Sequence, residues 1–233
     1  ALGGGPRYAN EAGANAVFEF VQACSDLYEE KLKSPSDDIM STWIEAEKNG
    51  LRDKTDFGLD QIISDCLLLL DGGAETTRTV IARSLLELAK NPDQWDLLKN
   101  GANLDLAVEE FIRFVTPIHN MCRVATEDYE IGGEVIRKGQ QIVLMYSSAN
   151  RDTSHFDDPE NLNIARDPNH HIAFGFGTHF CLGASLARLE IKLFFEIFLE
   201  RIASIKLLAD PVEMPNSFVY GLASCLMQLE KEI

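Results

Sequence analysis

The run Phe174-Gly175-Phe176-Gly177-Thr178-His179-Phe180-Cys181-Leu182-Gly183 decides the reading of this chain. It sets one cysteine in a loop crowded by glycines and a histidine, just before an amphipathic pattern that opens at Ala184. Glycines at that density let a backbone approach a flat object closely and adopt dihedrals other residues avoid. A helix from Ala184 aims its free N–H groups and positive dipole end back at the sulfur, which suits a charged thiolate. A lone intracellular cysteine is ordinarily buried and inert; this setting instead suits a sulfur presented to a planar space.

Outward from that loop, the spacing predicts a mainly α chain with a minor β component. Val17, Phe20, Val21, Cys24, Leu27 and Tyr28 form a helical stripe within 14–32. Ser34-Pro35-Ser36 stops it, and Ser36 with Asp37 can cap a second helix running to Lys48. One long helical pattern spans 59–90, broken in the middle by Asp71-Gly72-Gly73, where central glycines cost roughly a kcal/mol each relative to alanine. Short helices follow over 93–98 and 104–114, closed by Thr116-Pro117. Short strands joined by glycine turns are expected between 123 and 147, and loops from there to Cys181. A helix over 184–202 and short strands over 205–233 complete one expected domain, with a helical region 11–116, a β and loop region 117–180 and the cysteine loop 174–183.

Composition excludes several classes. The 233 residues are 45% apolar and 25% charged, an ordinary globular balance. A net charge of −16 argues against nucleic-acid or anionic-membrane partners, which call for basic patches. The scattered cysteines Cys24, Cys66, Cys122, Cys181 and Cys225 form no Cys-x-x-Cys pair, which points to a reducing compartment, and the cytoplasm is expected. The longest apolar run, Cys66 to Leu70, is far short of a membrane span, and the Gly-rich opening at Ala1 to Pro6 does not read as a signal peptide.

Two further constellations carry chemistry. In Gly72-Gly73-Ala74-Glu75-Thr76-Thr77, Gly72 and Thr76 lie one turn apart, so a small ligand could sit against the bare backbone within reach of the Thr76 hydroxyl. Glu75 adds a proton-exchanging carboxyl, while the plainer reading is a small-residue helix crossing. Asp71, just before the glycines, is costly against an apolar ligand unless it is paired or points away. Glu110 and Arg113, at i and i+3, can form an ion pair. A zinc site from His170, His171, His179 and Cys181 matches no common ligand spacing and leaves the glycines without a purpose. A Cys-His hydrolase lacks an oxyanion-hole element.

The pattern of Phe174, Gly175, Gly177, His179, Cys181 and Gly183 resembles the haem-binding signature of the cytochrome P450 family, and the other constellations follow in that family's order. The resemblance implies a cytochrome P450 fold and haem b ligated to iron through Cys181. It implies that Gly72 and Gly73 border the cofactor, that Thr76 steers protons and Glu75 delivers them, and that Arg123, His179 and His171 meet the haem propionates. It makes Glu110, Arg113 and Arg166 a structural triad and puts Leu68, Gly72, Ile118, Met121, Val219 and Leu222 on the substrate pocket. Runs such as Gly73 to Arg78 and Asn120 to Arg123 are most similar to bacterial members that oxidise steroids and terpenoids. A monooxygenase is therefore expected, using O2, a small apolar substrate and electrons from a ferredoxin and its reductase, with NAD(P)H as the indirect source. Family chains are longer, so the resemblance implies a C-terminal part lacking the N-terminal helices. A haem-binding gas sensor and an inactive truncated fragment are the alternatives; the Glu75-Thr76 pair argues against a pure sensor.

Overall fold

The computed structural model describes residues 11–50 and 59–232; the Gly-rich opening, from which the missing signal peptide was read, lies outside them. The chain divides into two compact units, one reaching to Ala74 and one starting at Glu75.

The first unit holds α1 (Glu11–Lys33), α2 (Ile39–Lys48) and α3 (Leu59–Ala74). Acidic Glu11 at the start of α1 and Lys31 and Lys33 at its end complement the helix dipole. The cap of α2 is Asp38, one residue beyond the expected Ser36 and Asp37: its backbone is extended and its carboxylate accepts the Ser41 N–H at 2.7 Å. Ser36 supports that cap by donating its hydroxyl to Asp38 at 2.5 Å. Met40, Ile44 and Ile62 form a small core, closed by Tyr28, Leu32, Trp43 and Cys66. The α1 stripe is buried at Cys24 but exposed at Val17, Val21 and Leu27.

The second unit contains the main core. Its helices are α4 (Thr76–Lys90), α5 (Pro92–Lys99), α6 (Leu104–Val115), the short α7 (Tyr146–Ala149) and α8 (Ala184–Arg201). The long helical pattern breaks at Glu75, not at the glycines: α3 runs through Gly72 and Gly73, and Glu75 separates it from α4. Both glycines stay helical, so their tendency to break a helix is overridden locally. Proline occupies the first turn of α5, where its missing N–H costs nothing. The Asn103 side chain caps α6 by accepting the Asp105 N–H at 2.9 Å, and Thr116, left-handed at φ 42°, ends it before Pro117. Ala107, Val108, Phe111, Ile112 and Val115 of α6 are all buried, and Phe111 packs on Phe195 of α8 at 4.7 Å between ring centroids. Burying side chains of that size stabilises a fold by about 1.5–3 kcal/mol each.

Among the described residues the β component is four antiparallel two-stranded ribbons. β1 (Asn120–Val124) pairs with β4 (Gln141–Met145), and β2 (Tyr129–Ile131) with β3 (Glu134–Ile136) across Gly132 and Gly133. β5 (Ile202–Leu207) pairs with β8 (Met227–Lys231), and β6 (Val212–Glu213) with β7 (Leu222–Ser224). β5 begins at Ile202, earlier than the expected 205, because the strand follows α8 without a loop. One departure concerns α8, expected to be amphipathic. Ala184, Ile191 and Phe195 face the core, yet Leu186, Leu189, Leu193 and Ile197 are exposed along the rest of the helix. No helix among the described residues is long and apolar enough to cross a membrane.

Candidate functional site around Cys181

Cys181 is exposed at the end of a loop whose shape is set by its backbone. Gly175 at φ 73° and Gly177 at φ 70° occupy the left-handed region, where a side chain is strained. Gly177–His179 forms a single 3-10 turn, closed by the Phe180 N–H on the Gly177 carbonyl at 3.0 Å. The Cys181 N–H then donates to the Phe174 carbonyl at 2.9 Å, and the Ala184 N–H to the Cys181 carbonyl at 3.3 Å as α8 begins. The sulfur-bearing residue is thus pinned on both sides of its peptide.

The surroundings are open and apolar. A Cβ built on Gly177 or Gly183 meets nothing within 4 Å, whereas one on Gly175 would press on the His179 carbonyl at 3.4 Å. Phe176 is 87% exposed and Leu182 92%, with Phe180 about half exposed beside them. Gly183, unlike Gly175 and Gly177, has neither a positive φ nor a crowding neighbour in the chain to demand glycine. Glycines opening on empty space, apolar side chains in water and a reachable sulfur fit a flat apolar group with a metal centre.

The other expected residues fall into several places. Leu68, Gly72 and Gly73 belong to α3 in the first unit; Leu68 is 69% exposed and neither glycine has a neighbour within 4 Å of a built Cβ. On the same helix, one carboxylate oxygen of Asp71 is buried with no hydrogen-bond partner among the described residues. Thr76 opens α4. Glu75 is held in both carboxylate oxygens by Arg78 Nη2 at 2.6 Å, a contact the sequence reading did not include. A Cβ on Gly221 would meet Glu75 Oε1 at 3.3 Å and clash with Met214, so the C-terminal ribbon closes on Glu75.

Ile118 and Val219 come together as an antiparallel bridge, flanked by hydrogen bonds from His119 to Phe218 and from Tyr220 to Pro117. Buried Arg83 holds that bridge to α4: it donates to the Tyr220 carbonyl and to Glu213 and lies 3.1 Å over the Tyr220 ring. Burial, with Arg83 and Arg151 nearby, pushes the His119 imidazole below its ordinary value. Met121 and Arg123 lie on β1 and Leu222 on β7. Arg123 donates to the Cys122 carbonyl at 2.9 Å and meets no carboxylate among the described residues.

Glu110, Arg113 and Arg166 form one buried cluster. Arg113 meets both Glu110 oxygens, at 2.7 and 2.8 Å, and Arg166 Nε donates to Glu110 at 3.0 Å. Arg113 also donates to the carbonyls of Asn150 and Pro159, and Arg166 to those of Asp157 and Asp158. Backbone Asn163 and the Asn169 amide complete the shell of Glu110. His171 departs from the expectation that it faces outward to a propionate. Its side chain is 2% exposed, its Nδ1 accepts the Ala173 N–H, and its Nε2 is bonded to Glu109 at 3.1 Å. Burial pushes the Glu109 carboxyl up, but hydrogen bonds from His171 and Arg188 outweigh it and bring it down to about 2. Glu109 and Arg188 were absent from the sequence reading; the Glu109-Glu110 doublet was their only signal.

Comparison with known proteins agrees with this geometry. The family model for Cytochrome P450 matches residues 93–218. A steroid C26-monooxygenase of Mycobacterium tuberculosis (strain CDC 1551 / Oshkosh) is 42% identical over 194 residues, 82% of this chain and 51% of that one. A linalool 8-monooxygenase of Pseudomonas putida is 36% identical over 217 residues, 93% of this chain and 52% of that one. The crystal structure of P450 OxyD, involved in the biosynthesis of vancomycin-type antibiotics, superposes with a TM-score of 0.86 at 32% identity, over 94% of this chain and 55% of that one. The chain spans about half the length of the curated relatives it matches. The chain belongs to the cytochrome P450 family.

Proposed function

We propose that this chain carries the cysteine-bearing half of a haem-thiolate monooxygenase acting on an apolar steroid or terpenoid. The observation that carries the reading is exposed Cys181 on a loop with left-handed glycines, flanked by exposed Phe176 and Leu182. The names of the steroid and linalool relatives support the substrate class.

Cys181 would ligate the iron, and Phe174, Gly175, Gly177 and Gly183 would let the macrocycle lie close to the backbone. Arg123, without a carboxylate partner among the described residues, and exposed His179 would neutralise the propionates. Haem b, when bound, supplies the activation of O2 and the oxidation of an unactivated C–H bond. The Thr76 hydroxyl would orient a proton donor, and Glu75 would deliver protons after turning away from Arg78. Ile118, Val219, Met121 and Leu222 would present the apolar surface to the substrate.

One oxygen atom enters the C–H bond and the other leaves as water, with the uptake of two electrons and two protons. A ferredoxin and its NAD(P)H-dependent reductase would supply the electrons, in a cytoplasmic setting that matches the unpaired cysteines. The test is turnover of a C27 sterol or an acyclic terpene alcohol under 18O2 with a surrogate ferredoxin, ferredoxin reductase and NADPH. One labelled oxygen in the hydroxylated product is expected. Haem binding without any labelled product would overturn the monooxygenase in favour of a module that binds haem only.

A further inference from the structure

Glu109 and Glu110 are neighbours on α6, yet they serve different structures. Glu110 lies inside the buried triad, while Glu109, 28% exposed, reaches α8 and the cysteine loop. Arg188 donates to it through Nε at 2.6 Å and Nη2 at 3.0 Å. Because the Nδ1 of His171 accepts the Ala173 N–H, its Nε2 carries the hydrogen and donates to the same carboxylate.

Both partners of Glu109 converge on Phe174. The Arg188 guanidinium lies 4.6 Å from the Phe174 ring centroid, and the His171 ring 6.0 Å from it. Phe174 in turn offers its carbonyl to the Cys181 N–H at 2.9 Å and its ring to Phe180 at 6.2 Å. An exposed ion pair contributes little, but this one is bidentate, half-buried and bound through a histidine to the loop backbone.

We propose that Glu109 and Arg188 are positioning residues for Cys181: the carboxylate on α6 fixes the guanidinium on α8 and the His171 ring, and together they clamp Phe174 so that its carbonyl holds the Cys181 peptide. Neither residue touches the reacting atoms. The clamp is a property of the chain alone, and only its consequence for the iron rests on the monooxygenase reading.

Amide hydrogen exchange tests it without haem. In the 233-residue chain, Glu109→Gln and Arg188→Gln should speed exchange at the Cys181 amide about tenfold, the loss of one charge-assisted hydrogen bond. Arg188→Lys, which keeps the charge but not the fork, should fall between them and the parent. Protection within α6 and α8, which follows the stability of the whole unit, should fall less than at the Cys181 amide. Unchanged exchange at Cys181 would overturn the proposal. So would equal loss of protection in α6 and α8, which would make the cluster a general brace. In haem-loaded protein, the reduced carbon monoxide spectrum should lose thiolate character in Glu109→Gln several-fold faster on standing, and an unchanged rate would remove the consequence for the iron. A parent that never shows thiolate character, with the exchange pattern as expected, would sink the monooxygenase reading and leave the clamp standing.

Discussion

The Glu110 cluster and the Cys181 loop sit within the same unit and are built on opposite terms. Around Glu110 every charge is buried and matched: two guanidiniums, a backbone N–H and an amide converge on one carboxylate, and the spare guanidinium hydrogens reach backbone carbonyls. Around Cys181 the chain leaves its own work open. Cys181 is exposed, Phe176 and Leu182 stand in water, and a side chain at Gly183 would meet nothing. The first region is complete in itself and its residues serve stability. The second is shaped for something that is not protein, and Cys181 and Gly183 in it should be nearly free to change without cost to the fold.

Substitutions should separate the two regions by size of effect on the haem-free chain. Arg113→Ala should be the most severe, costing about 3–5 kcal/mol because it leaves Glu110 buried and poorly compensated; urea unfolding midpoints measure it. Gly175→Ala or Gly177→Ala should cost about 1–2 kcal/mol, since each residue must then hold a left-handed conformation. Acid unfolding probes the border between the regions. The Glu109 carboxyl lies at about 2 in the fold against an ordinary 4.5, so its stabilisation is complete above that ordinary value and is lost as pH falls towards 2. Glu109→Gln should flatten that acid limb of a stability-against-pH curve and leave the neutral region less stable. Last, Cys181→Ala and Gly183→Ala should each shift the urea midpoint by no more than about 0.5 kcal/mol in equivalent stability. A large effect from either would mean that the loop is structural, and the contrast between the regions would fail.

Much of this arrangement was legible in the chain. The helices announced themselves by period, and Ser34-Pro35-Ser36 and Thr116-Pro117 marked their ends through local sterics. The break in the long helix was misplaced because glycine propensity is a weak local preference, and the surrounding turns carried α3 through Gly72 and Gly73 to Ala74. The Glu110 to Arg113 pair follows from helical spacing, but Arg166 lies 56 residues further on, and only the family resemblance pointed to it. Glu109 and Arg188 were invisible for the same reason: they lie 79 residues apart, and only the packing of α6 on α8 makes them neighbours. The family resemblance put His171 on a propionate, and sequence alone does not show that both of its nitrogens are engaged within the chain.

The most direct measurement is the reduced carbon monoxide difference spectrum of the haem-reconstituted chain beside its Cys181→Ala variant. The parent should show the Soret band of a thiolate-ligated haem, and the variant should lose that band while keeping the fold. A parent band typical of histidine or neutral-thiol ligation, or the same spectrum from both proteins, would contradict the assignment of Cys181 as the iron ligand.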